Sequence, residues 1–175
     1  YLNIDGPLYS GTNTIYVAAA ANDRSLATLS ANATIGKMLV GNGSSANGSF
    51  IQEGGNFNVG HTLPGGYDVL TLGQNGGYGY YRMLGGTLTT AQIGINGSAG
   101  GNAVFDQYDG RVTINGSGGW LTFNWGTGAS VLNMFGGTMI TPPGNMVAMS
   151  FTGNSGNLAY LNLLGPDALM DTSTN

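Results

Sequence analysis

Residues Tyr80–Thr90 read YYRMLGGTLTT, a glycine doublet held between two short runs of aromatic, aliphatic and β-branched side chains. The arrangement returns as FIQEGGNFNV at Phe50–Val59, FDQYDGRVTI at Phe105–Ile114, LNMFGGTMIT at Leu132–Thr141 and LNLLGPDALM at Leu161–Met170. The doublets begin at Gly54, Gly85, Asp109, Gly136 and Gly165, 24 to 31 residues apart, so the chain repeats with loops of variable length. Four residues before each doublet stand Phe50, Tyr81, Phe105, Leu132 and Leu161; three after its first member stand Phe57, Leu88, Val112, Met139 and Ala168. Two columns that stay apolar through five copies mark core positions. Next to the first column stand Ile51, Arg82, Asp106, Asn133 and Asn162, which are mostly polar. Apolar and polar positions thus alternate with period two, the signature of a strand with one face inside and one face wet.

Each copy carries an earlier short run as well, MLVG, VLTLG, QIGI, WLTFN or VAMSF, and each run is followed by a loop rich in Gly, Asn and Ser. A unit therefore reads strand, polar loop, strand, glycine corner, strand, variable loop. No unit offers a helix-length amphipathic segment to serve as a crossover. This pattern predicts an all-β fold, a right-handed parallel β-solenoid (β-helix) of about five coils, with handedness taken from the usual preference of parallel connections. An antiparallel sandwich of hairpins is the alternative. Gly54, Gly55, Gly85, Gly86, Gly110, Gly136, Gly137 and Gly165 are the corner glycines, and Phe50, Tyr81, Phe105, Leu132, Leu161, Phe57, Leu88, Val112 and Met139 the core stack. The repeats occupy residues 33–175. Residues 1–32 do not align with them and are expected to form an N-terminal cap or an intermolecular arm, with a short helix over NDRSLATLSA capped by Asn22 or Asp23.

Composition narrows the function. Charged residues make up 7% of the 175, against about 25% in ordinary globular domains, and 33 residues are glycine. Four basic residues and a net charge of −4 are too little positive charge to track phosphates, so nucleic acid is not an expected partner. The absence of cysteine excludes disulfides and thiolate metal sites. No apolar run is long enough for a transmembrane helix. The chain begins at Tyr1 without a leader, as expected of a processed or partial chain, and its low charge and abundant Gly, Asn, Ser and Thr suit a secreted or cell-surface protein.

The runs VGNG…GSFIQEGGNFNV, LTLGQNGGYGYYRMLGGTLTT and IGINGSAGGNAVFDQYDGRVTI resemble the glycine-rich repeats of bacterial autotransporter-type passenger proteins and of large secreted proteins with PEP-CTERM sorting signals. The resemblance covers about residues 33 to 170 and weakens in the last copy, where Pro166 replaces a glycine. It implies an extracellular β-helix used for surface structure, adhesion or assembly.

Chemistry-bearing residues are few. Glycan-cleaving β-helix enzymes need paired acids and a basic residue on one face, and the best candidates are Asp106 and Asp109 with Arg82 and Arg111. Arg82 and Asp106 share an outward column in adjacent coils, which is explained by an exposed ion pair, and Asp109 suits the left-handed backbone of a turn. His61 is the sole histidine and has no partner suggested by spacing. We therefore expect no catalytic, cofactor or metal site. Tyr78, Tyr80, Trp120 and Trp125, with Tyr67, are candidate glycan contacts of a carbohydrate-binding module. Sequons at Asn32, Asn42, Asn47, Asn96 and Asn115 read as turn chemistry first and glycosylation second. The last copy is as apolar as an internal one and carries no charged cap, which favours a homo-oligomer or filament through end-to-end stacking or strand donation by the arm.

Overall fold

The computed structural model describes residues 1–60, 69–98, 100–116, 119–141, 146–149 and 156–172. The chain winds through three strands per turn. The first turn is β1 (Leu2–Ile4), β2 (Leu8–Tyr9) and β3 (Thr14–Val17), the second β4 (Arg24–Leu29), β5 (Ala33–Ile35) and β6 (Lys37–Asn42), and the third β7 (Asn47–Gln52), β8 (Asn56–Val59) and β9 (Leu70–Gln74). There follow β10 (Tyr78–Met83), β11 (Thr87–Thr90) and β12 (Ile93–Ser98), then β13 (Asn102–Gln107), β14 (Arg111–Ile114) and β15 (Trp120–Phe123). Last come β16 (Ala129–Met134), β17 (Thr138–Ile140) and β18 (Met146–Met149), then β19 (Leu158–Leu163) and β20 (Leu169–Asp171). Every third strand pairs in parallel, giving one sheet of order β1-β4-β7-β10-β13-β16-β19, a second of order β2-β5-β8-β11-β14-β17-β20 and a third of order β3-β6-β9-β12-β15-β18. The protein is a parallel β-solenoid, and no helix occurs among the described residues.

The five sequence copies are five successive turns, from β6 to β20. The N-terminal segment is not set apart from them. β1 pairs with β4, and β4 pairs with β7 over six residues, so residues 1–32 lengthen the same three sheets. The stretch expected to be a short helix is strand β4. Its Ser25, Ala27 and Leu29 stand opposite Gly48, Phe50 and Gln52, and Ala27 and Leu29 are buried. The free edge of β7 and a period-two apolar pattern override the modest helix preference of Ala and Leu.

The core runs along the axis as columns. In the first sheet Ala27, Phe50, Tyr81, Phe105, Leu132 and Leu161 stand on one another; in the second the column is Ala33, Phe57, Leu88, Val112, Met139 and Met170. Phe50, Tyr81 and Phe105 stack with centroids 5.2 and 4.7 Å apart, matching the spacing of hydrogen-bonded strands. Each of these fully buried side chains contributes about 1.5–3 kcal/mol. Two positions differ from expectation. The last corner, GPDA, is longer than the others, so Met170 and not Ala168 takes the place opposite Met139. Leu161 is half-buried and only packs against the core, because it sits in the terminal rung.

Candidate functional site

Both kinds of sheet-to-sheet corner are set by backbone sterics. At the corner from the first sheet to the second, the second member of the doublet carries positive φ: Gly55 at 73°, Gly86 at 82°, Gly110 at 86° and Gly137 at 76°. A Cβ on Gly86 would run into the Gly55 carbonyl below it, and one on Gly137 into the Gly110 carbonyl. The first member is freer. Gly54 and Gly85 have room for a side chain, which is why Asp109 stands there without left-handed backbone and uses its carboxylate to accept the Gly110 N–H at 2.6 Å. Gly136 and Gly165 are tied differently, since a Cβ on either would meet the carbonyl of Tyr108 or Phe135. Gly165 is not among the left-handed residues.

Buried glutamines line this corner from inside, a role that the sequence pattern did not reveal. Gln52 Nε2 donates to the Thr87 carbonyl at 2.9 Å and reaches the Gly54 and Gly55 carbonyls, while its Oε1 accepts the Tyr81 hydroxyl at 2.7 Å. Burial alone holds the Tyr81 phenol well above its ordinary pKa. Gln107 repeats the amide contacts, to the carbonyls of Gly110 at 3.1 Å and Thr138 at 3.2 Å, but its Oε1 has no partner because Leu132 stands where a tyrosine hydroxyl would be.

At the corner from the third sheet back to the first, Ala18, Gly41, Gly73, Asn96 and Asn124 form one column, all with φ between 57° and 71°. Asn96 donates to Asn124 Oδ1 at 2.9 Å, and Asn124 to the Leu158 carbonyl at 2.8 Å. Asn96 is thus a buried turn residue and is closed to glycosylation in the folded chain. Of the other sequons, Asn32 accepts the Asn56 N–H and Asn42 accepts from Asn75, whereas Asn47 and Asn115 are exposed.

The charged residues are absorbed into the outer face of the first sheet, with partners other than those expected. Asp106 accepts the Tyr80 hydroxyl at 2.9 Å on one oxygen and Asn133 Nδ2 at 2.8 Å on the other, rather than pairing with Arg82. Arg82 lies over the Tyr108 ring at 4.7 Å, and Tyr108 stacks on Phe135 at 4.5 Å. Burial first, and then the hydrogen bond to Asp106, raises the Tyr80 phenol far above its usual range; Tyr78 is raised by burial and by the Asp106 charge. Among the described residues no three His, Cys, Asp or Glu side chains gather to hold a metal ion. His61 and Tyr67 lie outside the described residues.

The four candidate glycan contacts do not share a face. Tyr78 and Tyr80 belong to β10 in the first sheet, while Trp120 opens β15 in the third and stacks on Trp125 at 5.7 Å. What the outer face does present is the mostly polar column Ile51, Arg82, Asp106, Asn133 and Asn162 expected from the sequence, which the structure extends through Thr28 to Asn3. Its last three members form a hydrogen-bonded ladder, with Asn162 Nδ2 donating to Asn133 Oδ1 at 2.8 Å and Asn133 Nδ2 to Asp106.

The two ends are the remaining surfaces. Among the described residues, β1, β2 and β3 pair on one edge only, as do β18, β19 and β20. Leu2, an inward residue of the first rung, is 51% exposed, and Leu163, which continues the column of Ile4 in the last, is 53% exposed. Tyr1, Tyr9 and Tyr16 are exposed at one end, and Met149, Leu158, Tyr160, Leu164 and Leu169 at the other. No helix among the described residues is long and apolar enough to cross a membrane. Comparison of the chain with protein-family models, curated proteins and solved structures returns no match.

Proposed function

We propose that this chain is a non-enzymatic structural or adhesive building block of the cell surface or extracellular space, and that it associates with itself through the ends of its solenoid. The observation that carries this reading is the pair of apolar ends, where strands with one unpaired edge leave inward residues such as Leu2 and Leu163 half in water. Unpaired strand edges beside open core are templates for another strand, and natural proteins normally blunt them with charge, proline or a covering segment. Support for a non-catalytic role comes from the acids. Both oxygens of Asp106 are spent on Tyr80 and Asn133, and Asp109 closes a turn. The resemblance to glycine-rich passenger repeats, the low charge and the lack of cysteine support an exported setting. Sedimentation velocity over a hundredfold concentration range, with electron microscopy of the same samples, tests the association. Growing species and elongated particles are expected; a monomer throughout overturns it.

A further inference from the structure

The outer column of the first sheet has a direction, and that direction specifies how two copies meet. Asp106 is a carboxylate and only accepts, so Asn133 must turn its Nδ2 toward it and its Oδ1 the other way. Asn162 must then donate from Nδ2 to Asn133 Oδ1, which leaves the Asn162 Oδ1 facing the open end of the stack. At the opposite end the same column finishes in Asn3. The Thr28 hydroxyl donates to Asn3 Oδ1 at 2.6 Å, and the Asn3 Nδ2 is left to face outward along the axis. One end of the ladder therefore presents an acceptor and the other a donor, in one column.

We infer that a second copy of this chain docks head to tail, β19 of one copy pairing in parallel with β1 of the next so that Asn3 Nδ2 of the second donates to Asn162 Oδ1 of the first. This deepens the self-association reading and rests on it. The register set by the two asparagines carries the core columns of the first two sheets across the junction: Leu2 falls over Leu161, Ile4 over Leu163 and Leu8 over Met170, while the third sheet, one strand shorter among the described residues, takes no part in the pairing. All are apolar on both sides, and all are inward positions in their own turns. Joining like ends has no such match. Two N-terminal ends would oppose donor to donor, and two C-terminal ends acceptor to acceptor, each leaving polar groups unpaired beside an apolar contact.

Two sets of variants test the register. Asn3→Asp still accepts from Thr28 but has no donor to offer, and it sets a carboxylate against the Asn162 carbonyl oxygen. Its association constant should fall roughly tenfold or more, with the unfolding of the isolated chain unchanged. Tyr1 and Tyr160 occupy the neighbouring outward column and meet across the same junction, and the chain has no cysteine of its own. Strands about 4.8 Å apart put stacked residues within disulfide reach. Under mild oxidation, Tyr1→Cys combined with Tyr160→Cys should give a covalent ladder of dimers, trimers and longer species, and either single variant should give none. Covalent dimers from a single variant, or wild-type association that neither yields the ladder nor responds to Asn3→Asp, would overturn the register while self-association stands. A wild-type chain that stays monomeric overturns both.

Discussion

A single hydroxyl illustrates how finely the core is specified. Tyr81 is fully buried in an aromatic stack, and its hydroxyl satisfies Gln52 one turn below, whose amide holds the glycine corner. Tyr81→Phe should keep the stack and strand the Gln52 Oε1, costing about 1–3 kcal/mol in urea unfolding. The reciprocal case is Gln107, which lacks such a donor. Leu132→Tyr should therefore be more stable than Leu132→Phe by about 1 kcal/mol, since both add a ring above Phe105 and only one brings a hydroxyl to Gln107. Alkaline pH probes the same chemistry. The phenols of Tyr78, Tyr80 and Tyr81 have folded pKa values raised above the unfolded value of about 10, so the fold favours their neutral forms. That contribution is fully present below about pH 10 and is lost as pH climbs toward the folded values. Thermal stability should hold to about pH 10 and then fall, less steeply in Tyr80→Phe.

At the scale of the element, the corner is asymmetric in a way that its GG spelling conceals. Gly86 has positive φ and the Gly55 carbonyl where its Cβ would go, whereas Gly85 has neither constraint. Gly85→Ala should change stability by no more than about 0.5 kcal/mol, and Gly86→Ala should cost about 2 kcal/mol or more, from left-handed strain plus displacement of the rung below. Equal effects in thermal unfolding would show that the corner does not depend on the second glycine. The chain carries its own precedent, because Asp109 replaces the first member of one doublet while Gly110 keeps the second. The other corner takes asparagine at Asn96 and Asn124, where Asn124 Oδ1 accepts from both Asn96 Nδ2 and the Ser130 hydroxyl.

For the molecule as a whole, the described residues form seven rungs on the first two sheets and six on the third, each terminal strand pairing on one edge. Contacts run chiefly between neighbouring turns, so stability accumulates rung by rung and the terminal rungs gain from one side instead of two. Leu161 shows the consequence: it continues the column of Phe105 and Leu132 yet is only half-buried. Stacking a further copy is the change that would give it the surroundings of an internal residue. Association should accordingly raise the thermal midpoint as protein concentration rises, an effect that should need roughly tenfold higher concentration in Asn3→Asp.

The repeat, the columns around the glycine doublets and the parallel solenoid were all legible in the sequence, because period-two alternation and period-long self-similarity follow from strand geometry and rung stacking. Asn162 and Asp106 were legible as one polar outward column for the same reason. Residues 1–32 were not legible as further turns. Their apolar positions are small or sparse, and β4 is a strand because the edge of β7 offers it hydrogen bonds, a contact between segments 23 residues apart in the register Arg24 to Asn47. Only the tertiary structure decided that Gly86 rather than Gly85 is the constrained member of its doublet, since that depends on a carbonyl in the turn below. It likewise decided that Asp106 binds Tyr80 and Asn133 instead of Arg82, and that Asn3 and Asn162 close the two ends of one polar column, because hydrogen bonds between turns are set by register along the axis and not by order along the chain.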